Sequence, residues 1–111
     1  MSLRPVELHA LLALSAGALH GYALARRIAE DSDGRVRLLP GNLYAVIRRL
    51  EAEGWVSESR RKPAADEDQR RRYYQLTASG RRKLANEARH LENLVARLRR
   101  RLEPALENTK R

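Results

Sequence analysis

Between Pro40 and Gly54 the large apolar side chains fall at Leu43, Val46, Ile47 and Leu50. That i, i+3, i+4, i+7 spacing gathers them on one stripe of a helix, the face that enters a core. At about 100° per residue the opposite side presents Gly41, Ala45, Arg48 and Ala52, flanked by Asn42, Tyr44 and Arg49. Small residues alternate there with long basic and amide ones, which makes the face slim enough for a DNA major groove. Arginine donates two bonds to guanine, asparagine bonds adenine in the same bidentate way, and both grip phosphate. The competing reading is an ordinary solvated helix face, and the rest of the chain has to decide between them.

Upstream, Pro5 suits a first helical turn, and Val6, Leu8, Ala10, Leu11, Leu12, Ala13 and Leu14 make residues 5–16 apolar nearly all round, as a central helix would be. Gly17 stops it. A second helix is expected from about His20 to Asp31, with Tyr22, Leu24, Ala25, Ile28 and Ala29 on its buried side and a turn at Ser32, Asp33 and Gly34. Residues 35–38 alternate polar and apolar, the pattern of a short strand, before Pro40-Gly41 opens the third helix. Gly54 closes it.

Two strands follow, Trp55 to Arg60 and Arg71 to Leu76, with Val56, Tyr74 and Leu76 inward and Glu58, Arg60 and Gln75 toward water. The intervening residues are too polar to pack and too many for a two-residue turn, so the pair reads as a long-tipped hairpin. Arg60, Arg61 and Lys62 on one leg and Arg70, Arg71 and Arg72 on the other bracket an acidic tip, Asp66-Glu67-Asp68. Six clustered cations suit phosphate; solvated charge is the alternative.

Thr77 is placed to cap a last helix over Ala78 to Glu103, which Pro104 is expected to end; Gly80 stands where a capping box would have glutamate. Within it Leu84, Ala88, Leu91, Val95, Leu98 and Leu102 step by 4, 3, 4, 3 and 4, a heptad seam that Leu94 widens. A helix of 26 residues is about 39 Å long and would overshoot so small a domain. A second copy of the chain is the simplest cover for the leucines, and folding back on its own domain is the alternative. Arg97, Arg99, Arg100 and Arg101 lie off the seam and read as solvated.

The length of 111 residues suits one domain with a protruding element. Lys and Arg number 23 against 14 acids, a net charge of +9 with pI near 11.0. Residues 1–54 hold 7 basic and 6 acidic side chains, residues 55–111 hold 16 and 8. A neutral, packed first half thus carries a basic second half, and nucleic acid leads an anionic membrane as partner. No membrane span or signal peptide is recognisable, so a cytoplasmic location is expected. Without cysteine there is no disulfide, thiolate nucleophile or cysteine-ligated metal. His9, His20 and His90 are scattered and no glycine-rich loop forms a phosphate cradle, which argues against an enzyme, a metal site or a cofactor.

Three helices followed by a basic-legged hairpin make a winged helix-turn-helix: a mainly α fold with a small β-hairpin and a long C-terminal helix. Four fragments carry a closer likeness: Leu19-His20-Gly21-Tyr22, Leu39-Pro40-Gly41-Asn42-Leu43-Tyr44, Arg48 through Gly54, and Arg72 through Gly80. In these, over roughly residues 5–100, the chain resembles the PadR-like transcriptional regulators, especially the small subtype with one C-terminal helix.

The resemblance implies a homodimer joined by the terminal helices, binding palindromic double-stranded DNA as a repressor until a small molecule or stress signal releases it. Residues 1–77 would be the DNA-binding domain and 78–111 the dimerisation helix and tail. It implies base or backbone contacts from Asn42, Tyr44, Arg48 and Arg49, phosphate contacts from Lys62, Arg70, Arg71 and Arg72, and a contact or packing role for Tyr22. The chain departs from the usual pattern at Asn42 (commonly threonine or serine), Ala45 (often proline) and Leu39 (commonly a capping serine, worth about 1 kcal/mol). Relatives bind planar compounds between protomers, which makes Trp55, the only tryptophan, the candidate effector contact against a role sealing the core beneath the wing. The rival readings are a winged-helix protein adaptor and a non-specific nucleic-acid or RNA binder. An adaptor would expose apolar anchors on the third helix, and a stacking RNA binder would need more than 5% aromatic residues.

Overall fold

Pro5, with no N–H to leave unsatisfied, begins α1 (Pro5–Leu14) in the computed structural model, which describes residues 3–60 and 71–109. Glu7 closes the first turn by accepting the Arg4 backbone N–H at 2.9 Å. Ala10, Leu11, Ala13 and Leu14 are buried, which makes α1 the central helix that its composition implies. It is not apolar all round in its surroundings, however: Glu7 is buried and Leu12 is 44% exposed.

Leu19–His20 forms β1, and α2 (Gly21–Asp31) follows directly. The His20 side chain caps α2, its Nδ1 accepting the Ala23 N–H at 3.2 Å. Leu24 and Ile28 are fully buried, while Tyr22, expected on the inner side, is 73% exposed. Asp33 and Gly34 take left-handed backbone conformations, φ 54° and 78°, and the Val36 N–H bonds the Ser32 hydroxyl at 2.9 Å. That bond satisfies a backbone donor a strand would have paired, so residues 35–38 form a connector, with Val36 and Leu38 against the core, rather than the expected strand.

Along α3 (Pro40–Ala52) the stripe packs as its spacing predicts, Leu43, Ile47 and Leu50 being buried. At its end the Gly54 N–H bonds Glu51 O and the Trp55 N–H bonds Leu50 O, with Gly54 at φ 79°, a termination that favours glycine. β2 (Val56–Ser59) and β3 (Tyr73–Leu76) pair antiparallel in the register Val56↔Leu76. β1 pairs with the other edge of β3, Leu19↔Tyr74, giving the strand order β1-β3-β2. The third strand is therefore Leu19–His20, two residues being too few to show a periodic pattern. Tyr73 and Tyr74 are both buried: Tyr74 belongs to the core, and the His20 ring packs edge-on against Tyr73, with centroids 5.4 Å apart.

The start of α4 (Ala78–Thr109) is bound to the base of the hairpin. Thr77 donates its N–H to Trp55 O at 3.0 Å and its hydroxyl to Gly54 O at 2.6 Å, and that hydroxyl accepts the Gly80 N–H at 2.9 Å. A Cβ at residue 80 would lie 2.1 Å from Trp55 O, which is why glycine replaces the glutamate of a capping box. Leu84 packs on the chain's own core, whereas Leu91, Leu94, Val95, Leu98 and Leu102 are exposed. The helix runs past Pro104 to Thr109 rather than ending there. Proline removes one backbone donor, and the Arg100 carbonyl it deprives lies in an exposed stretch where water can serve. At about 48 Å, α4 makes the molecule 62 Å long against 26 and 25 Å across. Among the described residues no helix is long and apolar enough to cross a membrane.

Replacing Gly80 with alanine should lower unfolding free energy by about 1–3 kcal/mol. At Gly41, where an added Cβ meets nothing within 4 Å, the same change should leave stability unchanged or slightly higher. Urea denaturation of the two variants measures both effects.

Candidate nucleic-acid interface

With its apolar stripe inward, α3 presents Asn42, Tyr44, Ala45, Arg48 and Arg49 to the outside, all of them exposed. Tyr44 turns toward the start of α2. An added Cβ at Gly21 would meet the Tyr44 hydroxyl at 3.1 Å, so the glycine of the Leu19-His20-Gly21-Tyr22 fragment is what lets this ring seat against α2. The same fragment places Tyr22 one residue on, its ring stacked with His20 at 6.4 Å.

These residues meet the wing in one open cleft of about 450 Å³, walled by Tyr22, Tyr44, Tyr74, Arg71 and Arg72 around Gly21 and His20. Two guanidinium groups, three phenols and the first turn of α2 make a setting for an anionic oxygen: the cations attract it and helix-end N–H groups and hydroxyls can donate to it. Burial raises the Tyr74 phenol above its ordinary pKa, Tyr44, Glu51 and Glu58 push the same way, and Arg72 opposes them. The neutral phenol is kept as a donor, and its contribution to stability is complete below the ordinary phenol value and lost only as pH rises beyond it.

Of the residues named from sequence, Tyr22, Tyr44, Arg71 and Arg72 are thus brought together, and Asn42 and Arg48 lie on the outer face of α3. Arg49 is turned aside: its Nε lies 3.4 Å from Glu7 Oε2, tying α3 to α1. Glu7 itself is buried, its other oxygen engaged by Arg4. Lys62 and Arg70 lie outside the described residues. His20, Gly21 and Tyr74 also line the cleft; the sequence signal for Gly21 is its place in a recognisable fragment, whereas the pattern around Tyr74 predicts only a core position.

Trp55 is half-buried at the foot of the hairpin. Its carbonyl accepts from Thr77 and the Lys83 ammonium sits 5.3 Å from its ring centroid.

The Glu7 contact separates the two neighbouring arginines. Arg49→Ala should cost about 1 kcal/mol of stability, the modest value of a half-exposed partner, because the buried carboxylate loses Arg49 and keeps only the longer contact to the Arg4 guanidinium at 3.7 Å. Arg48→Ala should change stability by less than about 0.5 kcal/mol. Equilibrium unfolding in urea distinguishes them.

Against known proteins, residues 10–86 match the Transcriptional regulator PadR-like family. The chain is 37% identical over 98 residues to an uncharacterized 37.1 kDa protein in transposon Tn4556 of Streptomyces fradiae, covering 88% of this chain but only 26% of that protein. It is 35% identical over 91 residues to the transcriptional regulator Rv3488 of Mycobacterium tuberculosis, covering 81% of this chain and 78% of the relative. In fold it matches the crystal structure of a PadR family transcription regulator from Clostridium difficile R20291, with a TM-score of 0.71 at 20% identity over 89% of this chain and 99% of that one. The family and this neighbour are transcription regulators and not enzymes. Since the family match runs from α1 through the wing into the first turns of α4, the chain belongs to the PadR-like family of transcriptional regulators.

Proposed function

We propose that this regulator is a homodimer that binds a palindromic DNA site sequence-specifically, with α3 in the major groove and the wing on the adjacent backbone, and that it represses transcription until a small-molecule or stress signal releases it. The observation that carries the reading is the pairing of a slim polar α3 face with the cation-and-phenol cleft beside it. Asn42 and Arg48 read base edges; Tyr22, Tyr44, Arg71 and Arg72 hold phosphate, with Lys62 and Arg70 assigned to the same backbone by sequence. Arg49 positions α3 through Glu7, and its guanidinium, half-exposed, touches DNA only secondarily.

Dimerisation is supported by the seam. Leu91, Leu94, Val95, Leu98 and Leu102 are 36–52% exposed along one side of α4, a patch that a soluble chain covers by association. Within the assigned seam Leu84 serves the chain's own core, so the intermolecular part begins near Ala88 and runs to Leu102. Residues 1–77 then act as the DNA-binding unit and α4 as the spacer that sets the two α3 helices about 34–36 Å apart, one DNA turn. A ligand that altered this spacing would release the DNA.

Selection of bound duplexes from a random pool should enrich an inverted repeat with half-sites one turn apart. No enrichment, with affinity falling alike for all sequences as salt rises, would reduce the basic charge to a non-specific footprint. Leu91→Glu with Leu98→Glu should yield monomers by light scattering and much weaker operator binding; a double variant that stays dimeric overturns the seam. Arg48→Ala should cost about 1–3 kcal/mol of operator affinity and relax preference at one base pair.

A further inference from the structure

The surface around the proposed DNA contacts is not uniformly polar. Leu39, the residue before α3, is 72% exposed, and with Tyr22 it is the most exposed large hydrophobic among the described residues. Its backbone is extended, φ −79° and ψ 156°, and its side chain makes no hydrogen bond to the helix it precedes. Serine, threonine, aspartate or asparagine here would cap α3; this chain forgoes the cap and holds an isobutyl group in water instead. Leu39 does not stand alone: Leu38, Pro40 and Leu43 join it in lining a groove between α2 and α3, together with Tyr22, Arg26 and Arg37.

An apolar lip framed by cations calls for a partner that is polyanionic overall yet apolar at one point. The DNA major groove meets that description, since thymine places its C5-methyl group there and no other base does. The leading end of a recognition helix is the part that reaches base edges. We propose that Leu39 is a specificity-determining residue that packs on a thymine methyl in each half-site. The assignment rests on the reading that α3 enters the major groove, and it adds an apolar contact to the polar ones of Asn42 and Arg48.

The test uses the full-length protein and the duplex enriched by selection. Each thymine of one half-site is replaced in turn by deoxyuridine, which keeps the pairing and removes only the methyl group, and affinity is measured for the wild type, Leu39→Ala and Leu39→Ser. At one thymine the wild type should lose about fourfold in affinity, the effect of exposing one methyl-sized group. Both variants should bind the thymine and deoxyuridine duplexes equally while retaining the methyl dependence, if any, of every other position. Leu39→Ser restores a capping side chain, so a well-folded variant is available should alanine loosen α3. The proposal is overturned if no thymine shows the loss in the wild type, or if the variants keep it. An enriched operator with either of those results refutes Leu39 alone, whereas the absence of any enriched operator refutes the major-groove reading and Leu39 with it.

Discussion

The junction of α3, the wing and α4 holds the rest of the molecule in relation. Leu50 O accepts the Trp55 N–H, Trp55 O accepts the Thr77 N–H, and Gly54 O accepts the Thr77 hydroxyl. The backbone of Gly80 then packs close against Trp55 O, and Lys83 lies over the indole. Within a few residues the end of α3, both strands of the hairpin and the first turn of α4 are joined through backbone carbonyls, which leave little room for rotation. In the proposed dimer the separation of the two recognition helices is a lever arm about this junction. In that dimer the angle of α4 against Trp55 would set the spacing of the two α3 helices.

A second tie runs on the other side of α3. Glu7, buried in a helix otherwise devoted to the core, takes Arg49 from α3 and the Arg4 backbone. A buried carboxylate is costly unless compensated, so the site specifies its partners closely. The consequence is a division of labour between adjacent arginines: Arg49 anchors, and Arg48 is left on the outer face. The cleft formed by Tyr22, Tyr44, Arg71 and Arg72 depends on a steric allowance of the same kind, the missing side chain at Gly21.

Much of this was legible in sequence where a physical period or a residue with few backbone choices was present. The Leu43, Ile47, Leu50 stripe, the Gly54 stop and the Thr77 cap all stand where they were expected, because helical spacing and end geometry are local properties. Local alternation misled at residues 35–38, where the Ser32 hydroxyl competes for the Val36 N–H, and the third strand was found instead in two residues with no pattern to read. Pro104 predicts a stop by a local rule that an exposed helix can override. The helical position of Tyr22 on α2 predicts a buried ring, yet it is exposed and lines the cleft.

The sequence by itself determined the four helices and the hairpin in their order, the inner face of α3, the basic second half and the apolar seam of α4, since each follows from residue type and spacing along one chain. Only the tertiary structure decided which cations face outward together. Arg48 and Arg49 are adjacent residues of one type, and the presence of Glu7 on a neighbouring helix gives Arg49 a different partner. Likewise Gly21 and Gly80 matter because of what lies across from them, the Tyr44 ring and the Trp55 carbonyl. Contacts between elements distant in the chain depend on the packing angles of the whole core, and no local period encodes those.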